Sequence, residues 1–228
     1  MRRAKLLLLA LVLALGPVHG CKRDEQPAAV AVVAPLLVAP VAEDHPWVIA
    51  FLTELSIARP SGTDARLEGR TDPDGRRVMD PIFEAEDRAA LTDFLHDYEQ
   101  QHPRPPELVP VWEQHTVTAE RRGPRWQLHF VDRQAGFQLD GGASALAVPD
   151  AEHPAVWLKF SPAQGEQFAA LTRARVGRRL AFTIGDEVVN VPIVREPIPG
   201  GQAMLLGDAS LGPERGAAAL LERLQQAD

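Results

Sequence analysis

The stretch Val188 to Gly207, VVNVPIVREPIPGGQAMLLG, constrains the fold more than any other. Its β-branched residues alternate as a strand does, yet Pro192, Pro197 and Pro199 interrupt it. Proline has no amide to give a ladder, so such a strand belongs at a sheet edge, a bulge or a corner. The flanking pattern agrees. AVWLKF, Ala155 to Phe160, reads as a strand. Ser161 then caps a helix, with Pro162 at its first position, Gln164 closing a capping box, and Phe168 and Leu171 inward. Arg173 and Arg175 suit its negative end, and Gly177 is a left-handed stop. RRLAFTI and EVVNVPIV form a hairpin around Gly185–Asp186, with glycine first as a type II′ turn prefers. QAMLLG is a further strand, and Pro213 opens a last helix with Leu220, Leu221 and Leu224 on one face. The order strand-helix-strand-strand-strand-helix predicts an α+β fold, a largely antiparallel sheet with helices packed on one face.

The remainder of the chain is read from periodicity. Pro46 starts a helix, with Asp44 as the nearby cap and Trp47, Phe51, Leu52 and Leu55 at helical spacing. Arg59 to Arg77 is polar and contains the turn TDPDG. A second helix is predicted over Glu84 to Gln101, where Leu91, Phe94, Leu95 and Tyr98 make one stripe. Arg125 to Val131, RWQLHFV, alternates as a half-buried strand, and LDGGAS is a turn. Residues 45–110 are thus expected to be the helical N-terminal part of the globular domain, and 111–228 its α+β part.

MRRAK followed by LLLLALVLALG reads as a signal peptide over residues 1–20, too short and wrongly flanked for a membrane span. Cys21 is the single cysteine, so no disulfide forms within the chain. Val18, Gly20 and Cys21 resemble the lipobox of bacterial lipoproteins, although His19 departs from it. That resemblance implies lipidation of Cys21 with acyl chains such as palmitate. The alternative is an ordinary cleaved signal with an incidental cysteine. Residues 21–44 are expected to be a lipid-anchored tether, broken by Pro35 and Pro40; a first edge strand is the other reading. Losing Arg2, Arg3 and Lys5 with the signal takes the net charge from −7 to −10. Without a clustered basic face, this is no nucleic-acid binder.

The run FSPAQGEQFAALTRARVGRRLAFTIGDEVVNVPIVREPIPGGQAMLLG resembles the head region of the first periplasmic domain of SecD and SecDF, accessory subunits of the bacterial preprotein translocase. The matching positions are Phe160, Gly165, Phe168, Leu171, Thr172, Gly177, Leu180, Ala181, Pro192, Glu196, Ile198, Gly200, Gly201 and Gly207. They are expected to be mainly structural. The clear resemblance runs from about Ala155 to Leu224, a third of the chain, and extends weakly back to about Val111, so 111–228 is expected to be the head-like domain. Three departures stand out. The hairpin is Gly-Asp rather than Asp-Gly, Asn190–Val191 replaces a small Ser-Ala pair, and the chain ends at Asp228 without the family's transmembrane helices.

No HExxH, GxSxG or Walker-type loop occurs. His96 and His102 are weighed as a surface metal site against solvated polar residues, and the latter is preferred. Asp80, Glu84, Glu86 and Asp87 are expected to be a solvated helix N-terminus. No catalytic residue, metal or cofactor is assigned. The resemblance implies a non-enzymatic, lipid-anchored protein of the cell envelope, facing the periplasm. Lys22 after the cysteine favours the outer membrane. It would bind exported polypeptides or envelope proteins through the edge near Pro192 and the apolar surface near Met204. The alternative is a structural or regulatory lipoprotein that binds one folded partner.

Overall fold

The structure, a computed structural model, describes residues 28–115, 125–139, 141–148 and 152–226. The expected signal peptide and Cys21 lie outside the described residues. In chain order the elements are β1 (Val30–Ala31), β2 (Leu36–Pro40), α1 (Pro46–Ala58), β3 (Thr63–Thr71), β4 (Arg77–Ala85) and α2 (Arg88–Gln101). Then come β5 (Leu108–His115), β6 (Arg125–Asp132), β7 (Phe137–Leu139), β8 (Ser144–Ala147) and β9 (Ala155–Lys159). Last are α3 (Pro162–Ala174), β10 (Leu180–Ile184), β11 (Glu187–Asn190), β12 (Gln202–Leu206), a 3-10 turn at Ala209–Leu211 and α4 (Pro213–Gln225). The fold is α+β, and the predicted order of the last third is observed. Its strands divide between two sheets, however. β9 and β12 belong to a four-stranded sheet, β1-β8-β9-β12, while β10 and β11 belong to an eight-stranded one, β3-β4-β6-β5-β11-β10-β2-β7. The second sheet is mixed, since β11 meets β5 in parallel at Glu187 and Trp112.

Local chemistry explains much of this. Ser161 and Gln164 form the capping box of α3, and Gly185 alone of the hairpin pair has positive φ, +59°, as a type II′ turn requires. Helix α1 starts at Pro46, but its cap is His45, whose Nδ1 accepts the Trp47 N–H; Asp44 pairs with Arg178 instead.

Three expectations are corrected. The tether does not extend to Asp44, because β2 lies inside the eight-stranded sheet between β10 and β7, with Leu36 and Val38 fully buried. The part expected to be helical, residues 45–110, also holds strands, and the polar stretch Arg59–Arg77 falls among them. Most of it is the first arm of a nine-pair hairpin, β3–β4, with TDPDG as its turn. Helix α2 begins at Arg88 rather than Glu84, because Glu84 and Ala85 finish β4 and Asp87 caps the helix by accepting the Ala89 N–H. The acidic cluster is accordingly split. Asp80 and Glu84 are on β4, and only Asp87 serves the helix start.

A bridge between Val41 and Val131 joins the end of β2 to β6, so β6, β5, β11, β10 and β2 close a ring. Inside it pack Ala39, Val41, Val111, Val131, Ala181 and Val188. One larger core lies under α1 and α2, centred on Phe51. The other joins both sheets to α3 and α4 through Phe160, Phe168 and Phe182.

Candidate functional site

The proline-broken strand builds the most distinctive concavity. After Asn190 the chain leaves regular pairing, and it resumes beside residues 177–180 through a bridge between Ile193 and Arg179. Pro192 loses no bond there, since its carbonyl accepts the Leu180 N–H at 3.0 Å and no donor is needed. The following turn is held on α3. The fully buried Thr172 hydroxyl accepts the Ile198 N–H at 3.0 Å and donates to the Ala169 carbonyl at 3.2 Å. Gly201, at φ +62°, comes so close to Gly165 that a Cβ on Gly165 would lie 3.1 Å from its Cα. The Gly201 carbonyl accepts the Phe160 N–H at 2.9 Å. Between this turn, α3 and β12 remains a groove of about 260 Å³, floored by Phe168, Leu180 and Phe182 and rimmed by Ile193, Ile198 and Met204. Ile193 and Met204 are 40% and 49% exposed. Beside them β12 ends its sheet: it pairs with β9, and no described strand pairs with its other edge.

Most family-like residues named from the sequence converge here. Phe160 packs on Phe168 at 4.7 Å between ring centroids, Leu171 is half-buried against the same core, and Gly165, Thr172, Pro192 and Gly201 shape the groove wall. Glu196 is exposed on the rim, and Gly200 has open space where a Cβ would be. Gly177 lies elsewhere. Its φ is +79°, and it abuts Asp72 and Pro73 at the tip of the β3–β4 hairpin.

Sequence reasoning did not find the polar hub beside Gly177. Glu43, 2% exposed, receives Arg179 Nε at 2.6 Å and has Arg70 and Arg178 each at 3.5 Å. Asp80 pairs with Arg70 at 2.5 Å, and Arg70 Nη1 donates to the Gly177 carbonyl at 2.6 Å. The only hint in the sequence is charge placed within otherwise apolar strand patterns, as in VMDPIF and RRLAF. A second pair, buried His129 and half-buried Glu113, meets at 2.9 Å. Burial, with Arg179 and His115 nearby, pushes the His129 ring below its ordinary pKa and outweighs the Glu113 hydrogen bond. The neutral ring donates to the carboxylate. The void on the His129 side, about 10 Å³, has room for no more than a water, whereas Glu113 borders the wider cleft beside His115.

Trp112 and Trp126 take the Arg88 guanidinium over their faces at 4.8 and 5.6 Å, and Arg88 also pairs with Asp186 on the β10–β11 turn. A wider, polar cleft of about 740 Å³ runs between His115, Val189 and Arg223. His115 bonds Gln127 there, and among the described residues no serine, threonine or cysteine hydrogen-bonds a histidine. No cluster of described His, Cys, Asp or Glu side chains is placed to hold a metal. His96 bonds Gln100, and the His102 ring lies against Tyr98. No described helix is long and apolar enough to cross a membrane.

Residues 119–223 match the family model described as SecDF, P1 head subdomain. The resemblance read from the motif residues is therefore shown, for the C-terminal part of the chain. Among curated relatives, protein translocase subunit SecDF of Thermus thermophilus is 39% identical over 70 residues, 30% of this chain and 10% of that protein. Protein translocase subunit SecD of Calditerrivibrio nitroreducens is 35% identical over 68 residues, 30% of this chain and 13% of its own. SecD of Acidaminococcus fermentans is 33% identical over 88 residues, 37% of this chain and 21% of its own. The chain thus spans between a tenth and a fifth of the length of these relatives. A solved structure of SecDF, a membrane component that enhances protein export, aligns with 85% of this chain and 94% of its own at 21% identity and a TM-score of 0.34. A SecDF structure in the Super-membrane-facing form gives 20% identity, 90% and 30% coverage, and a TM-score of 0.33. Scores this low carry no argument about the arrangement.

Proposed function

We propose that this chain is a non-enzymatic, lipid-anchored envelope protein whose head-like part holds extended polypeptide segments on the periplasmic side. The observation that carries the reading is the apolar groove at Ile193 and Met204, set against the unpaired edge of β12. A free strand edge offers backbone donors and acceptors to an extended chain, and an adjacent apolar groove takes its side chains. The match to the SecDF head supports exported polypeptides as the class of partner, by analogy of fold. The anchor is the Cys21 thioether, and Lys22 after it favours the outer membrane.

The test is photo-crosslinking in cells with benzoylphenylalanine at Ile193 or Met204, and at Ile57 as a control; Ile57 is 70% exposed on α1. A spread of exported polypeptides captured at the groove positions and absent at Ile57 is expected. Equal capture at all three positions would overturn the reading. A single folded envelope protein captured in fixed proportion would replace it with the regulatory alternative.

A further inference from the structure

The four-stranded sheet has an inner face that is core and an outer face that is not. Ala145, Val156, Leu158, Ala203 and Leu205 are buried in the core that also takes side chains of α3 and α4, and α4 packs over β1, β8 and β9. On the outer face Leu146, Trp157 and Met204 are direct cross-strand neighbours on β8, β9 and β12, so they form one row across the sheet. Leu206 extends the row along β12. Trp157 is 42% exposed, Met204 49% and Leu206 46%. The flanking row is Ser144, Lys159 and Gln202. Strand positions facing outward thus include one lysine and no acidic residue, on a chain whose net charge is −7. An indole at the centre of an apolar row, with a single amine beside it, has the composition of a surface that meets lipid headgroups.

The chain's entry point places that surface. β1 is the outer strand of the same sheet, and Val30 is nine residues beyond Cys21. Even fully extended, nine residues reach only about 30 Å. The intervening segment is neutral overall, Lys22 and Arg23 being balanced by Asp24 and Glu25, so it does not repel an anionic surface.

We infer that the outer face of the β1-β8-β9-β12 sheet docks on a lipid surface, with Trp157 and Leu206 at the headgroup level and Lys159 toward anionic headgroups. This rests on the proposed Cys21 anchor for its geometry. Docking would fix the orientation of the anchored protein and hold the groove, which shares Met204 with this face, close to the membrane plane.

The experiment uses full-length Leu206→Cys protein, processed in cells and reconstituted into phosphatidylcholine vesicles with a minority of phosphatidylglycerol. A thioether at Cys21 leaves the new thiol as the only one, and it carries an NBD fluorophore. Ala218→Cys is the control, exposed on α4 and so on the other side of the sheet. Doxyl-labelled lipids should quench most of the emission at 206 and little at 218. Trp157→Ser should abolish that quenching without changing the melting temperature. Equal quenching at both positions in a protein whose intact mass carries the acyl chains overturns the docking and leaves the anchor standing. A mass without acyl chains sinks the anchor instead. The sheet face is then read in Cys21→Ser, Leu206→Cys protein with added vesicles, where absence of quenching overturns docking.

Discussion

Two neighbouring regions exclude water equally well by different means. Under α1, Phe51 is fully buried, its ring touching those of Trp47, Phe83, Phe94, Tyr98 and Phe130 at centroid distances of 5.2–5.8 Å. Eight residues earlier, Glu43 is 2% exposed among three arginines. The aromatic cluster draws its stability from area and packing, neither of which depends on one exact geometry. The hub must offset the desolvation of several charges, and it does so only while each partner stays in place. Among the described residues Asp80 Oδ1 and Arg179 Nη2 are buried without a hydrogen bond, and Arg70 Nη2 meets Glu43 only at 3.5 Å. What the hub supplies is position. Through Arg70 and Asp80 it ties the β3–β4 hairpin to Gly177 and Arg179 of the head-like part.

Perturbations separate the two regions. Phe51→Ala should cost about 3–5 kcal/mol in urea unfolding, the range for a fully buried phenylalanine. Glu43→Gln keeps the shape but removes the charge facing Arg178 and Arg179, and a loss of about 3 kcal/mol is expected. A loss below about 1 kcal/mol would put the hub in the class of exposed ion pairs and break the comparison. The double change Glu43→Met, Arg179→Met should recover much of that loss, whereas no second truncation rescues Phe51→Ala.

Gly177→Ala is milder. It forces a left-handed φ on a residue with a Cβ and presses that Cβ to 3.1 Å from Asp72 Cβ, for about 1–2 kcal/mol. Gly200→Ala, in the same motif but with free space and no positive φ, should be close to neutral in the same melt.

Changing pH is the gentlest probe. His129 is held neutral below its ordinary pKa of 6.5, first by burial and then by Arg179 and His115, against the pull of Glu113. The unfolded chain takes up a proton near 6.5 and the folded one does not, so stability should fall as pH drops through that value. His129→Gln should flatten this slope. An unchanged slope would place the titrating group elsewhere.

The groove was more legible than the hub, for a definite reason. Ser161, Pro162 and Gln164 announce a helix start, Gly185–Asp186 announces a hairpin, and Pro192 announces the end of regular pairing. Each signal acts within a few residues of itself. The β3–β4 hairpin announced only its turn, TDPDG, because its strands trade apolar alternation for cross-strand pairs such as Arg66 with Glu84 and Arg70 with Asp80. The β2 strand was hidden by Pro35 and Pro40, which sit before its first residue and at its last.

The amino-acid sequence by itself determined the order of elements in the last third, the cap and turn chemistry that bounds them, and the likeness to the SecDF head. Those are consequences of periodicity and of side chains that bond their own backbone. Only the tertiary structure decided that β9 and β12 leave β10 and β11 for a separate sheet, that residues 36–40 enter the fold, and that Glu43, Asp80 and Arg179 meet. Pairing between distant strands is set by which faces can be buried together. No local pattern carries that information.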